Sequence, residues 1–94
     1  MVASTANAEW CTFEPGFLVT THGNQSDKVW VNGTIEGEGT NRWVELSDGT
    51  SGSKNVAIAL AAQASDRPLG IFLHDTTCGQ LPDWYTNLRH VRML

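Results

Sequence analysis

Two tryptophans stand where a β-hairpin should present polar side chains to water. Val29-Trp30-Val31-Asn32-Gly33-Thr34-Ile35 leads through Glu36-Gly37-Glu38-Gly39-Thr40-Asn41 into Arg42-Trp43-Val44-Glu45-Leu46-Ser47. An aromatic plane flanked by amide, carboxylate and guanidinium groups suits the holding of a sugar. The C–H faces of the sugar stack on the ring, and its hydroxyls find polar partners. Trp30, Asn32, Arg42, Trp43 and Glu45 are therefore candidate ligand-binding residues. The same two rings equally suit a subunit interface, where tryptophan is enriched, or cover by the N-terminal segment.

Other chemistry is thinner. His22, His74 and His90 fall on three separate β-rich runs, and only His74 has an acid, Asp75, beside it. That pair defines an alternative, a small enzyme of unknown class, but no nucleophile elbow accompanies it and no catalytic residue is assigned. Gly49-Thr50-Ser51-Gly52-Ser53-Lys54 departs from the phosphate-loop pattern, because Ser53 separates Gly52 from Lys54. Neither a Cys-x-x-Cys nor a Cys/His cluster is present, so no metal or cofactor is expected.

The elements that must position these residues follow from alternation. Val29, Val31, Ile35, Val44 and Leu46 share one hairpin face, and Trp30, Asn32, Thr34, Trp43, Glu45 and Ser47 share the other. The expected register sets Ile35 opposite Arg42, Thr34 opposite Trp43, Asn32 opposite Glu45 and Trp30 opposite Ser47. Before the hairpin, Trp10 to Phe13 reads as extended, Pro15-Gly16 as a bend or bulge, and Phe17 to His22 as a β-rich run. After it, Lys54 to Ala64 reads as a helix capped by Ser53 and ended before Pro68, with Val56, Leu60 and Ala64 facing the core. Leu69 to His74 and Asn87 to Leu94 are the last two strands, with Val91 and Met93 inward and Asp83 to Tyr85 as a helical turn. Three strands, a helix and two strands predict a mainly β fold, a five-stranded OB-like barrel with one helix between strands 3 and 4. An open antiparallel sheet with the helix packed on one face is the competing architecture.

A chain of 94 residues makes one domain, assigned here to residues 10–94 after a tail at 1–9. The net charge of −4 argues against a nucleic-acid partner, although single-stranded nucleic-acid binding is a known use of OB-folds. No apolar run approaches the roughly 20 residues of a membrane span. Ala6-Asn7-Ala8 has the small-x-small pattern of a signal-peptidase site, which would make Glu9-Trp10 the start of a periplasmic or secreted chain. Cys11 and Cys78 are either two buried thiols or one disulfide, and export favours the disulfide.

Trp10-Cys11 before the first strand, Ala61 to Leu73 where helix runs into strand, and Cys78-Gly79-Gln80-Leu81-Pro82-Asp83-Trp84 before the last strand carry a resemblance. The chain resembles small exported bacterial OB-fold proteins, among them the receptor-binding B subunits of AB5 toxins and their periplasmic relatives. The resemblance implies an OB-fold, assembly into a ring with helices toward its centre, and glycan binding. The helix here is shorter than is usual in those subunits. The expected function is thus a non-enzymatic binding or assembly module, glycan-binding and self-associating as a dimer or ring.

Overall fold

A computed structural model describes residues 9–22, 25–47 and 52–94, with side chains left aside at 22, 25 and 26. The tail at 1–8 and the start of the Gly49–Lys54 loop lie outside the described residues. In chain order the elements are β1 (Glu9–Phe13), β2 (Leu18–His22), β3 (Gln25–Thr34), β4 (Asn41–Glu45), α1 (Gly52–Ala64), β5 (Leu69–Leu73), a 3-10 turn (Cys78–Gln80), β6 (Trp84–Tyr85) and β7 (His90–Met93). They form two sheets, β1-β5-β7 and β2-β3-β4-β6, with every pairing antiparallel except β4 with β6.

The fold is mainly β with one helix, as expected, but it is not a closed five-stranded barrel. Seven strands are present among the described residues, and the helix follows the fourth of them. The difference begins at Pro15-Gly16. Proline offers no backbone donor to a ladder, and Gly16 turns with φ 101°, so the chain leaves one sheet and enters the other. The two sheets meet at this corner through a bridge between Phe13 and Ile35, flanked by bonds from the Glu14 N–H to the Thr34 carbonyl and from the Glu36 N–H to the Thr12 carbonyl. At the other end, Trp84-Tyr85 is a short strand parallel to β4 rather than a helical turn.

The hairpin register differs from expectation by two residues. Trp30 faces Glu45, Asn32 faces Trp43, Gly33 faces Arg42 and Thr34 faces Asn41. The turn is centred one residue earlier than expected: the Ile35 carbonyl accepts from the N–H groups of Glu38 and Gly39, while Ile35 N–H donates to the Thr40 carbonyl. Gly37 and Gly39 take φ values of 86° and 69° within it. An even slip leaves every side chain on its expected face.

The inner faces of both sheets supply the core. Phe13, Phe17, Val31, Ile35, Val44, Leu46, Leu69, Ile71 and Leu73 are buried there with Tyr85, Leu88 and Val91. Met93, expected inward, is exposed at the far end of β7. Gly33 is required by close approach: a Cβ there would lie 2.7 Å from Phe17 Cβ and 3.1 Å from a Phe13 ring carbon. The Cys11–Cys78 disulfide forms, with Cα atoms 5.7 Å apart, and ties β1 to the segment that leads into β6.

The helix orientation is also corrected. Asn55, Ala59 and Ala62 face inward with the N-terminal Gly52, Val56 and Ile58 flank them, and Leu60 is 47% exposed. Positions 55, 59 and 62 are an i, i+4, i+7 line. Its small residues let the helix approach β7, its closest neighbour among the strands, and Asn55 Nδ2 donates to the Arg89 carbonyl. A line through Leu60 would hold the axis further away. The helix begins two residues before Lys54, and a Cβ on Gly52 would collide with the Ser47 backbone.

Candidate ligand face

Alternation on the four-stranded sheet leaves one face to the core and one outside. Cross-strand pairing builds the outer face in rows. Leu18, Asn32, Trp43 and Trp84 form one row across β2, β3, β4 and β6. Thr20, Trp30 and Glu45 form the next, and Thr34 with Asn41 flanks the first on its other side. Strands are spaced at about 4.8 Å, so the four-residue row spans about 14 Å.

Three indoles meet on this face. Trp43 and Trp84 are stacked, with centroids 5.1 Å apart and planes 5° from parallel. Trp30 stands edge-on to both, at 6.3 Å from Trp43 and 5.3 Å from Trp84. These are the two arrangements the indole quadrupole favours. Trp30 is only 3% exposed, Trp43 is half-buried and Trp84 is 45% exposed. Trp30 Nε1 is buried and finds no acceptor among the described residues. The rings of Trp43 and Trp84 thus contribute to the cover of Trp30 from within the chain.

Trp84 is carried by the stretch after the disulfide, and Arg42 ties that stretch down. Its Nε donates to the Leu81 carbonyl at 2.9 Å, and its Nη1 lies 3.0 Å from the Asp83 carboxylate. Trp43 N–H donates to the Asp83 carbonyl at 2.9 Å. Arg42 belongs to the alternation class of Val44 and Leu46, so its guanidinium is removed from the expected ligand set and positions Trp84 instead.

Glu45 is also engaged within the fold. It is buried beside Trp30, with Lys28 Nζ 3.9 Å away and the Ser47 hydroxyl donating at 3.4 Å. Asn32 is half-buried and donates through Nδ2 to Asn41 Oδ1 and to the Arg42 carbonyl. Beside Asn32 lies a cavity of about 190 Å³, lined by Glu14, Pro15, Leu18, Thr34 and Asn41 among others. The structure therefore gathers Trp30, Asn32, Trp43 and Glu45 on one face, takes Arg42 away, and adds Trp84, Leu18 and Asn41. Trp84 was missed because a two-residue strand is too short to show a period. Its signal was chemical: an aromatic pair after Pro82, of which one ring must face out.

His74 and Asp75 both engage Asn87, at different atoms. Asp75 accepts from the Tyr85 hydroxyl at 2.6 Å and from Asn87 Nδ2 at 2.8 Å, while His74 Nε2 lies 3.0 Å from the Asn87 carbonyl. The Tyr85 hydroxyl first, then Asn87, holds the Asp75 carboxyl below its ordinary range. Burial, with Asp75 beside it, pushes the Tyr85 phenol up. The geometry is that of a latch joining the β5 end to the segment between β6 and β7.

No protein-family model matches the chain, and no curated protein or solved structure was found to be similar to it.

Proposed function

We propose that this chain is an exported, non-enzymatic binding module of OB-like architecture that takes a glycan on the outer face of its four-stranded sheet. The observation that carries the reading is the row Leu18–Asn32–Trp43–Trp84, in which a stacked indole pair continues into an amide and a polar cavity. A span of about 14 Å accommodates more than one sugar ring. The indoles supply stacking surface, and Asn32, Asn41 and Thr34 supply polar partners for hydroxyls.

The OB-like reading draws support from the interrupted strands. Taking β1 with β2, and β6 with β7, as two broken strands restores the order of three strands, a helix and two strands. On that reading the parallel β4–β6 pair is the seam between third and last strands. The disulfide supports export to an oxidising compartment. The described residues include no helix long and apolar enough to cross a membrane.

Self-association, as a dimer or ring, is the second part of the proposal and rests on the exposed Leu60 of the helix. The tryptophan face is the weaker candidate for that contact, because Trp30 is already covered within the chain. A glycan array followed by intrinsic-fluorescence titration tests the binding proposal. Trp84→Ala and Asn32→Ala should each weaken a positive hit at least tenfold. An array without hits, or an unchanged affinity in Trp84→Ala, removes the glycan reading. Light scattering of Leu60→Glu against wild type tests assembly.

A further inference from the structure

We propose that Glu9, Cys11 and Cys78 form a thiolate–carboxylate site for a zinc-like divalent cation when the disulfide is reduced. One ligand atom from each residue lies within 4.8 Å of the others. Glu9 opens β1, Cys11 follows on the same strand, and Cys78 arrives from the 3-10 turn. Glu9 Oε2 accepts the Cys78 N–H at 2.6 Å and lies 4.0 Å from Cys11 Sγ. No hydrogen bond or ion pair to its second oxygen, Oε1, is formed among the described residues. The carboxylate is therefore held by Cys78 and lies near the Cys11 sulfur, and it keeps an oxygen available for a metal.

The chemistry of the donor set selects the ion. Two thiolates and one carboxylate match the soft and borderline ligands of tetrahedral zinc, with water as the fourth ligand. Zinc–sulfur bonds of about 2.3 Å place two tetrahedral thiolates about 3.8 Å apart. Cα atoms 5.7 Å apart reach that spacing by side-chain rotation once the sulfurs separate. The reduction is balanced: two equivalents of a thiol, or one of a phosphine with water, supply two electrons and two protons, and the S–S bond becomes two thiols. Binding of the cation then releases the two thiol protons. The cation would keep β1 joined to the 3-10 turn in a reduced chain, before or in place of oxidation.

Cobalt(II), whose thiolate complexes absorb, is the probe. Phosphine-reduced protein under argon should take up one equivalent, with sulfur-to-cobalt charge-transfer and tetrahedral d–d bands. Glu9→Gln keeps an acceptor for the Cys78 N–H but removes the charge, and it should bind at least tenfold more weakly. Circular dichroism checks that this variant folds, and Glu9→Asp, which restores the carboxylate, should recover part of the affinity. The disulfide-bonded protein should show neither band. Absence of a thiolate band in reduced wild type, an affinity unchanged in Glu9→Gln, or equal cobalt uptake by the oxidised protein would each overturn the proposal.

Discussion

Trp43 and Trp84 stack with near-parallel planes across the parallel β4–β6 pair, and Trp30 stands edge-on to both. Their burial differs enough to order the effect of truncation. Trp30→Ala should cost about 3–5 kcal/mol, the range for a large aromatic removed from a core. Trp84 is 45% exposed, and Trp84→Ala should cost about 1–2 kcal/mol, mostly from the lost ring pairing. Urea denaturation followed by far-UV circular dichroism measures both. Equal costs would contradict the deeper burial of Trp30.

Arg42 positions Trp84 through the Leu81 carbonyl and Asp83. Arg42→Ala should therefore loosen the β6 segment while leaving the β3–β4 hairpin paired. Amide exchange should quicken at Trp84 and Tyr85 and stay slow at Val31 and Val44. Arg42→Lys should not restore the slow exchange, because an ammonium cannot reproduce the guanidinium fork. Slow exchange at Trp84 in Arg42→Ala would show that the stack alone holds the strand.

The helix packs through alanines. Ala59→Leu adds volume at a site with no exposure and should destabilise by about 1–3 kcal/mol. Leu60→Ala, on the outer side, should change the stability of the monomer by less than about 0.5 kcal/mol. A larger loss in Leu60→Ala at concentrations where the protein is monomeric would mean that the helix is turned about its axis.

The latch around Asp75 has a pH signature. The folded carboxyl titrates below its ordinary value of 3.8, chiefly through the Tyr85 hydroxyl. Its contribution is therefore present above that value and is lost as pH falls through the lower folded value. Tyr85 works at the other end of the scale. Its folded pKa is raised, so its contribution is present below the ordinary value of 10.0 and fades as pH rises through the folded one. Asp75→Asn should flatten the acid limb of the stability curve below about pH 4. An unchanged acid limb in this variant would show that the latch carries no pH-dependent stability.

The disulfide closes a loop with a sequence separation of 67. The chain-entropy treatment assigns such a cross-link about 4 kcal/mol at room temperature. Reduction and alkylation should lower the urea midpoint accordingly. Intact mass with alkylation, before and after reduction, checks the bond itself. Two free thiols in the protein as isolated would contradict it.

Alternation alone determined which hairpin side chains share a face, because side chains in a strand point to opposite sides at every step and an even slip changes nothing. Local chemistry likewise determined the helix segment, the turn at Gly37 and Gly39, and the break at Pro15-Gly16. The tertiary structure decided what those local features meet. The bend at Pro15-Gly16 separates β1 from β2 because the first half pairs with β5 and the second with β3, partners far apart in the chain. The inner face of α1 was hidden because an alanine-rich sequence has no apolar moment to choose a side; only the close approach to β7 chooses Ala59 and Ala62. Arg42 and Trp84 changed roles for the same reason. A guanidinium is drawn to whichever carbonyl and carboxylate the fold brings near, and an indole is covered by whichever ring arrives, and neither partner is a neighbour in the sequence.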